Sequence, residues 1–296
     1  MICLSQISNA KVFMKHAFLI QVHENYDQIK NLINDICLVE QCSVYVHVDL
    51  KANSLFEKLS KNYRDHQQVT IISDREKVYW SDFSQVKATL NLLKTAIKSN
   101  YDYYSLISGQ DYMIKPLAQF NDFLQENQGL EFLEARERSN TWRVKLTHKH
   151  TRKPKFRKYR YYRYYALLNS ILRYRAKKHI NQYKIYFGSS WFTITQNAVT
   201  YILDFVSNQP GFIADFETST CGDEHFFQMI LMNSHFKSKI HNDNLRLIKY
   251  KPLANSPINL TIEDCRSMEN SSKFLARKFD QNYDKEVLDQ LRVNIT

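Results

Sequence analysis

Glycine is scarce in this chain. Only five of its 296 residues are glycine, at positions 109, 129, 188, 211 and 222. Neither a GxGxxG dinucleotide fingerprint nor a GxxxxGK[ST] phosphate loop can be written with them. The sequence therefore argues against a dinucleotide-dependent dehydrogenase and against a P-loop kinase. Because glycine is so rare here, we expect it to be used where the backbone is approached closely.

Paired cysteines, long apolar runs and the pattern of a signal peptide are also missing from the sequence. The five cysteines are scattered and contain no CxxC pair, so neither a zinc cluster nor a disulfide framework is indicated. No run approaches the ~18 apolar residues of a membrane-spanning helix. Residues 1–13 lack the basic start and apolar core of a signal peptide. We expect a cytoplasmic protein in which 1–13 form an N-terminal extension and 14–296 form a single domain.

The positive charge of the chain is concentrated in one segment. The net charge is +11, and residues 152–178 contain eleven Lys and Arg but no acid, which leaves 30 bases and 30 acids elsewhere. Basic and aromatic residues alternate there, as in YRYYRYY at 159–165. The pattern fits a nucleic-acid surface, an anionic membrane surface, or an amphipathic excursion packed on the protein body. Taken alone, the segment does not choose between these.

The chain alternates short apolar strands with amphipathic helices. Strands are predicted at 16–22, 43–48, 69–72, 103–107, 130–133, 186–194 and 245–250. Helices are predicted at 26–38, 54–61, from a Ser81 cap to 97, at 116–125 and 196–206, from 219, from 261, and at 285–291. This alternation predicts an α/β fold with a mainly parallel sheet and helices on both faces. In such sheets ligands bind beyond the carboxyl ends of the strands.

Two aspartates and a histidine lie at or near the ends of predicted strands. Asp49 closes the second strand, where its carboxylate can accept hydrogen bonds from a base or a ribose. Asp111 follows the 103–107 strand in a predicted turn, where a site role and a role as a turn cap are equally plausible. His47 is expected to be a core histidine with satisfied hydrogen bonds rather than a ligand.

Two adjacent acids begin the most informative stretch, 219–231. Ser219 or Thr220 is predicted to cap a helix, with Asp223 and Glu224 in its first turn, where the helix dipole favours negative charge. Apolar residues at helical spacing follow and would bury the far face of the helix. The pattern predicts a carboxylate on a rigid mount, suited to a general base. The alternative is that both acids merely decorate a helix N-terminus.

Seven motifs in order give the chain a resemblance to a known family. They are HAFLIQVH, VYVHVD, WSDFSQVKATLNLL, YSLISGQDYMIKP, GSSWFTIT, CGDEHFFQMIL and FLARKFD, between about 14 and 280. In them the chain resembles the core-2/I-branching β-1,6-N-acetylglucosaminyltransferases and peptide xylosyltransferases, glycosyltransferase family 14, in a compact bacterial form. The resemblance implies a GT-A-like fold, a UDP-sugar donor, and inversion of the anomeric configuration. It also implies no metal-binding DxD motif, and here too no two aspartates stand two positions apart.

The resemblance implies a set of residues that bind the donor. Lys278 falls on the lysine that contacts the diphosphate, and Arg246 is the nearest match to an arginine that assists it. Asp49 falls on the aspartate that holds the uridine. We assign Asp111 and Gly188 to the donor side as well. No metal or other cofactor is expected, because Lys278 and Arg246 would stabilise the departing UDP.

The resemblance also implies a base and an acceptor site. Glu224 falls on the catalytic base, and Glu134 corresponds to a glutamate of the acceptor pocket. We place Trp191 and Asp223 on the acceptor side. Asp223 is expected to point roughly 100° away from Glu224 around a helix, which disfavours a two-carboxylate glycosidase.

Together these inferences predict a cytoplasmic, inverting, metal-independent glycosyltransferase that acts on a hydroxyl of a glycan or lipid-linked oligosaccharide. N-acetylglucosamine is the expected donor sugar, and xylose is the alternative. Residues 14–135 would form a nucleotide-binding half, 136–184 a basic Tyr-rich insertion, and 185–296 the acceptor and catalytic half. The segment 152–178 would contact the inner membrane surface. The alternative of another class is a nucleic-acid-binding protein using 152–178, although no nucleic-acid partner is expected.

Overall fold

The computed structural model describes residues 14–137, 142–148, 164, 177–252 and 256–295. The predicted extension at 1–13 lies outside the described residues. So does nearly all of the basic segment 152–178, including the surface on which membrane or nucleic-acid contact was predicted.

Strands and helices alternate through the described part of the chain. The strands are β1 (His16–Val22), β2 (Cys42–Val48), β3 (Val69–Ile71), β4 (Tyr103–Ser108), β5 (Asp111–Met113), β6 (Glu131–Leu133), β7 (Arg136–Glu137), β8 (Tyr186–Phe187), β9 (Phe192–Thr195), β10 (Ile240–His241), β11 (Arg246–Ile248) and β12 (Leu275–Arg277). The α-helices are α1 (Tyr26–Ile36), α2 (Asn53–Asn62), α3 (Ser84–Ala96), α4 (Leu117–Glu126), α5 (Trp142–Lys145), α6 (Gln196–Asn208), α7 (Pro210–Glu217), α8 (Phe226–Met232), α9 (Cys265–Glu269) and α10 (Glu286–Ile295).

Seven of the described strands form the central sheet, in the order β10-β6-β9-β4-β1-β2-β3. β1 pairs in parallel with β2 and with β4, whereas β9 runs antiparallel to its neighbours β4 and β6. Val22 lies opposite Val48, and Gln21 lies opposite Ser108, so β1, β2 and β4 end at one edge. The predicted α/β fold with a mainly parallel sheet is confirmed.

Alternating side chains of β1 show why helices cover both faces of the sheet. Phe18 and Ile20 are fully buried against the helices of one face, α1 among them. Ala17 and Leu19 are fully buried on the opposite face, which packs against α3. Each fully buried large apolar side chain contributes about 1.5–3 kcal/mol relative to exposure, so a central strand that is apolar on both sides favours this layered arrangement.

A second sheet brings distant residues beside the central one. β11 pairs in parallel with β12, and β12 pairs antiparallel with β5. In that register Arg277 lies opposite Asp111 and Arg246 lies opposite Leu275. Three segments that are far apart in the sequence therefore meet next to the carboxyl end of β4.

The predicted serine and threonine caps are wrong at two helices. α3 begins at Ser84 rather than after a Ser81 cap, and Ser81 adopts a left-handed conformation with φ of 66°. Its hydroxyl contacts the hydroxyl of Thr220 instead. The Ser219 hydroxyl donates to the Val144 and Asp215 carbonyls and accepts from Lys177 Nζ, and Cys221 stands at the N-cap of the 3₁₀ turn that follows. Tertiary partners have taken the hydroxyl groups on which the local pattern relied.

Two other segments differ from their predicted form. Residues Gly222–Glu224 form a 3₁₀ turn, and α8 starts only at Phe226. The strand predicted at 186–194 is interrupted, because residues 188–191 separate β8 from β9 and instead line the cleft described below. Of the helices in the described part of the chain, none has the length and apolar character needed to cross a lipid bilayer.

Candidate active site

A cleft of about 980 Å³ lies beyond the carboxyl ends of β1, β2 and β4. Its walls come from the central sheet, from the sheet that contains β11 and β12, and from the loops around β8 and the 3₁₀ turn. Eight of the nine predicted site residues line it: Asp49, Glu134, Gly188, Trp191, Asp223, Glu224, Arg246 and Lys278. The fold therefore brings together residues from both ends of the sequence. Their individual roles in donor binding, acceptor binding and catalysis stay predictions.

Glu224 is held in the cleft by its own backbone and by an arginine. Its N–H donates to the Cys221 carbonyl at 3.2 Å, and its carbonyl accepts from the Gly188 N–H at 3.0 Å. Its Oε2 accepts a hydrogen bond from Arg143 Nη1 at 2.8 Å. The Glu224 side chain is 33% exposed, so it remains reachable from the cleft. A carboxylate mounted in this way can accept a proton from a bound hydroxyl group.

Asp223 shares the cleft with Glu224. It accepts a hydrogen bond from the Ser190 hydroxyl at 2.6 Å. Burial raises the pKa of the Asp223 carboxyl, while Ser190 and the positive charge of Arg143 oppose that rise. Asp223 and Glu224 lie in a 3₁₀ turn and not in the predicted α-helix, and both line the cleft. Its hydrogen bond to Ser190 places it in the wall beside the GSSWFTIT motif.

Two arginines lie against Trp191, on the wall formed by β11 and β12. The Arg277 guanidinium is 4.3 Å from the centre of the Trp191 ring, and that of Arg246 is 6.0 Å away. Arg246 is almost fully buried, and its Nη1 donates to the Asn244 carbonyl at 2.7 Å. Burial lowers the pKa of Arg246 to about 10, so it stays charged at neutral pH. Lys278 follows on the same wall.

Asp111 is the exception among the predicted site residues. Its carboxylate is fully buried and does not line the cleft. Oδ2 accepts a hydrogen bond from the Ser108 N–H at 2.8 Å, and Oδ1 lies 3.4 Å from Arg277 Nη1. The prediction that Asp111 sits in a turn is also wrong, because it begins β5 and pairs with β12. In this structure it supports Arg277 from behind.

The carboxyl end of β2 forms another part of the wall. Asp49 is nearly buried, and its Oδ1 accepts from the Lys51 N–H at 2.8 Å. His47 Nε2 accepts from the Glu76 N–H at 2.8 Å, and burial lowers the pKa of His47 to about 4. His47 is buried and hydrogen-bonded, as predicted, and it also lines the cleft.

Gly188 has a clear structural reason to be glycine. A Cβ placed there would lie 1.8 Å from the Glu134 carbonyl oxygen, which no side chain can tolerate. Its N–H meanwhile donates to the Glu224 carbonyl. Gly188 thus lets the segments carrying Glu134 and Glu224 approach each other, which confirms the expected use of glycine at a close approach.

Sequence reasoning missed three residues of the cleft. Arg143 lies in none of the seven motifs, yet it contacts Glu224. Arg277 is the neighbour of the predicted ligand Lys278, yet both line the cleft. Trp80 opens the WSDFSQVKATLNLL motif and lines the cleft with half of its surface exposed. The available signals were an aromatic residue beside a turn for Trp80 and the FLARKFD motif for Arg277, whereas Arg143 gave none.

Metal ligands do not gather in the described ranges. No group of three or more His, Cys, Asp or Glu side chains there is placed to hold a metal ion. The charged side chains that lie over the Trp191 ring are the cations Arg246 and Arg277.

Comparisons with known proteins agree with the motifs. The sequence model of the Core-2/I-Branching enzyme family matches residues 16–272. Xylosyltransferase 2 of Mus musculus is 24% identical over 93% of this chain and 33% of its own length. Xylosyltransferase sqv-6 of Caenorhabditis elegans is 23% identical over 92% of this chain and 35% of its own length. The chain thus spans about a third of these relatives.

Similarity to solved structures is weak. A mannose-1-phosphate geranyltransferase from Thermus thermophilus has a TM-score of 0.30 and 9% identity, with 68% of each chain covered. That likeness carries no argument. The family match, in contrast, covers most of the sequence and contains the cleft residues from β1 to β11. The chain belongs to the Core-2/I-Branching enzyme family of glycosyltransferases, glycosyltransferase family 14.

Proposed function

We propose that this protein transfers a sugar from a UDP-sugar to a hydroxyl group of a glycan acceptor, with inversion at the anomeric carbon. One observation carries the proposal: a single cleft is lined by the carboxylate of Glu224 and by the cations Arg246, Arg277 and Lys278. A single displacement needs a base on the acceptor side and positive charge on the leaving-group side. Both are present in one cavity.

Glu224 and the three cations are sufficient for the proposed transfer step. Glu224 takes the proton of the acceptor hydroxyl while the hydroxyl oxygen forms a bond to the anomeric carbon. The bond between that carbon and the β-phosphate oxygen breaks at the same time, and UDP leaves with the electron pair. The guanidinium groups and the Lys278 ammonium stabilise the negative charge that develops on the diphosphate. Arginine does so with a planar fork and lysine as a compact point charge.

Metal independence is part of this proposal. The sequence has no DxD motif, and the wall around Trp191 supplies positive charge from side chains. Arg246 and Arg277 remain in place through contacts with Asn244 and Asp111, so the positive charge is organised before the donor binds. An organised set of cations can do for a departing phosphate what a divalent ion does in other transferases.

Two donor sugars compete. N-acetylglucosamine is the sugar that the motifs favoured, whereas the relatives matched above are named xylosyltransferases, which favours xylose. A panel of UDP-sugars, read by slow hydrolysis to UDP, separates the two. The acceptor in this proposal is a glycan or a lipid-linked oligosaccharide handled in the cytoplasm, with contact of 152–178 to an anionic membrane surface.

The test of the proposal is Glu224→Gln. Glutamine keeps the size and hydrogen-bonding ability of the side chain but cannot act as the base. We expect UDP binding to be retained and transfer to fall by about 10²–10⁴-fold. Glu57→Gln, on the exposed side of α2, is the matched control and should keep full activity. Transfer by Glu224→Gln at close to the wild-type rate would rule out Glu224 as the base.

A further inference from the structure

Arg143 contacts Glu224 from a part of the chain that the family motifs do not include. Its Nη1 lies 2.8 Å from Glu224 Oε2, and the two side chains are 25% and 33% exposed. Both residues line the cleft. An ion pair this exposed contributes only about 0–1 kcal/mol to stability, so folding alone gives little reason for it. Because the ion pair lies inside the cleft, it can serve function as well as folding.

The backbone around Arg143 is fixed to the segment that leads into the Glu224 turn. The Thr220 N–H donates to the Arg143 carbonyl at 3.0 Å, and the Ser219 hydroxyl donates to the Val144 carbonyl at 3.3 Å. Three residues beyond α5, the His148 N–H donates to the Thr218 carbonyl at 2.6 Å. Residues 218–220 therefore hold the short helix α5 a few positions from the catalytic turn.

A buried lysine strengthens this attachment. Lys177 Nζ donates to the Ser219 hydroxyl at 2.7 Å, and Val144 is fully buried between the same elements. The guanidinium of Arg143 is consequently presented from a backbone with little freedom to move. Such a mount can fix the direction of the carboxylate that it binds.

We propose that Arg143 is the positioning residue for the general base: it orients the Glu224 carboxylate and keeps it ionised, ready to take the acceptor proton. This inference rests on the proposed function of the cleft. An adjacent guanidinium favours the charged form of a carboxylate, and a bound carboxylate oxygen restricts its rotation. Both effects act through Glu224, because Arg143 is not required to touch the reacting atoms.

Three other titratable groups of the described residues lie near Glu224, and none of them adds positive charge beside it near neutral pH. Asp223, in the same turn, disfavours a second negative charge, and burial raises its pKa. The Cys221 thiol, whose pKa burial raises to about 11, and the Tyr250 phenol, whose pKa burial also raises, are neutral there. Arg143 is thus the cation that the described residues place directly on the base.

The first test is the pH dependence of transfer in three variants. In Arg143→Gln we expect kcat to fall at least tenfold at pH 8 with the KM for the UDP-sugar unchanged. The acidic limb of the pH–rate profile should move up by about one pH unit. Arg143→Lys should keep the acidic limb near its wild-type position, because charge is retained, but should still lose kcat, because a point charge does not reproduce the fork. Lys145→Gln, on the same helix and outside the cleft, should match the wild type.

The second test does not depend on activity. The ¹³C carboxyl resonance of Glu224, assigned by its loss in Glu224→Gln, should titrate at higher pH in Arg143→Gln than in the wild type. An unchanged titration, or an unmoved acidic limb accompanied by a lowered Tm, would show that Arg143 has only a structural role. If the wild type transfers no sugar from any UDP-sugar, the proposed function fails, and the carboxyl titration still decides whether Arg143 controls Glu224.

Discussion

Three of the four histidines that are buried in the described part of the chain predict how the protein responds to acid. His16, His47 and His148 are at most 4% exposed, and burial lowers the pKa of each to about 4. The perturbation is a change from pH 8 to pH 5. Between these values the histidines bind protons in the unfolded chain, where their pKa is 6.5, but stay largely unprotonated in the folded chain.

The direction and size of the effect follow from that difference. A folded-state pKa below the unfolded value means that stability is complete above pH 6.5 and is lost as the pH falls toward 4. Each histidine then costs about 1.4 kcal/mol per pH unit, or about 2 kcal/mol at pH 5. Three of them amount to about 6 kcal/mol, which is comparable with the whole stability of a typical domain. We therefore expect the protein to be close to unfolding at pH 5.

Denaturant unfolding followed by tryptophan fluorescence at pH 8, 6 and 5 measures the effect. His47→Gln retains an acceptor for the Glu76 N–H and should reduce the loss of stability between pH 8 and pH 5 by about 2 kcal/mol. His66→Gln changes an exposed histidine and should keep the wild-type slope. A stability that is equal at pH 8 and pH 5, or a His47→Gln slope equal to that of the wild type, would refute the argument.

Three further predictions follow from single contacts. Gly188→Ala should lower the free energy of unfolding by about 3 kcal/mol or prevent folding, because its Cβ would meet the Glu134 carbonyl. Gly129→Ala is the control: nothing lies within 4 Å of its Cβ, and its φ of +89° should cost only about 1 kcal/mol, seen as a small decrease in Tm. Burial lowers the pKa of Lys177 from 10.5 to about 7, so wild-type stability should rise between pH 7 and 8.5 by up to about 1.4 kcal/mol per unit, and Lys177→Met should lose this rise in denaturant titrations. Lys278→Ala should weaken UDP binding about 10–100-fold by calorimetry, and manganese should not restore UDP binding or transfer in this variant. Excess EDTA should leave wild-type transfer intact. Loss of activity in EDTA that manganese reverses would contradict the metal-free mechanism.

Much of the fold was readable because its signals are local. β1 was predicted with its observed bounds, since an apolar run that is buried on both faces needs no knowledge of its partners. The same reasoning located β2 and hence Asp49 at the edge of the sheet, because parallel strands end together. Gly188 was also predictable as a close approach, since glycine is so scarce elsewhere.

The remaining features depend on contacts between segments that are distant in sequence. Thr220 has the side chain of a helix cap, but the fold supplies Ser81 as a partner 139 positions away. Arg143 has no local pattern that distinguishes it from the many basic residues after it, and only the hydrogen bonds to 218–220 bring it to Glu224. Sequence pattern finds a residue type suited to a task, whereas its partner is set by tertiary structure.

Asp111 shows what this difference means for the chemistry of the site. Arg246 and Arg277 lie against one tryptophan ring, and their like charges disfavour each other, as the lowered pKa of Arg246 reflects after the larger effect of burial. A buried carboxylate beside Arg277 offsets that repulsion, and removing it would leave a poorly compensated buried charge. Asp111 therefore compensates the charge of Arg277 without lining the cleft itself. The register of β5 with β12 places Asp111 opposite Arg277, so a residue predicted to bind the donor lies beside a cleft residue and not in the cleft.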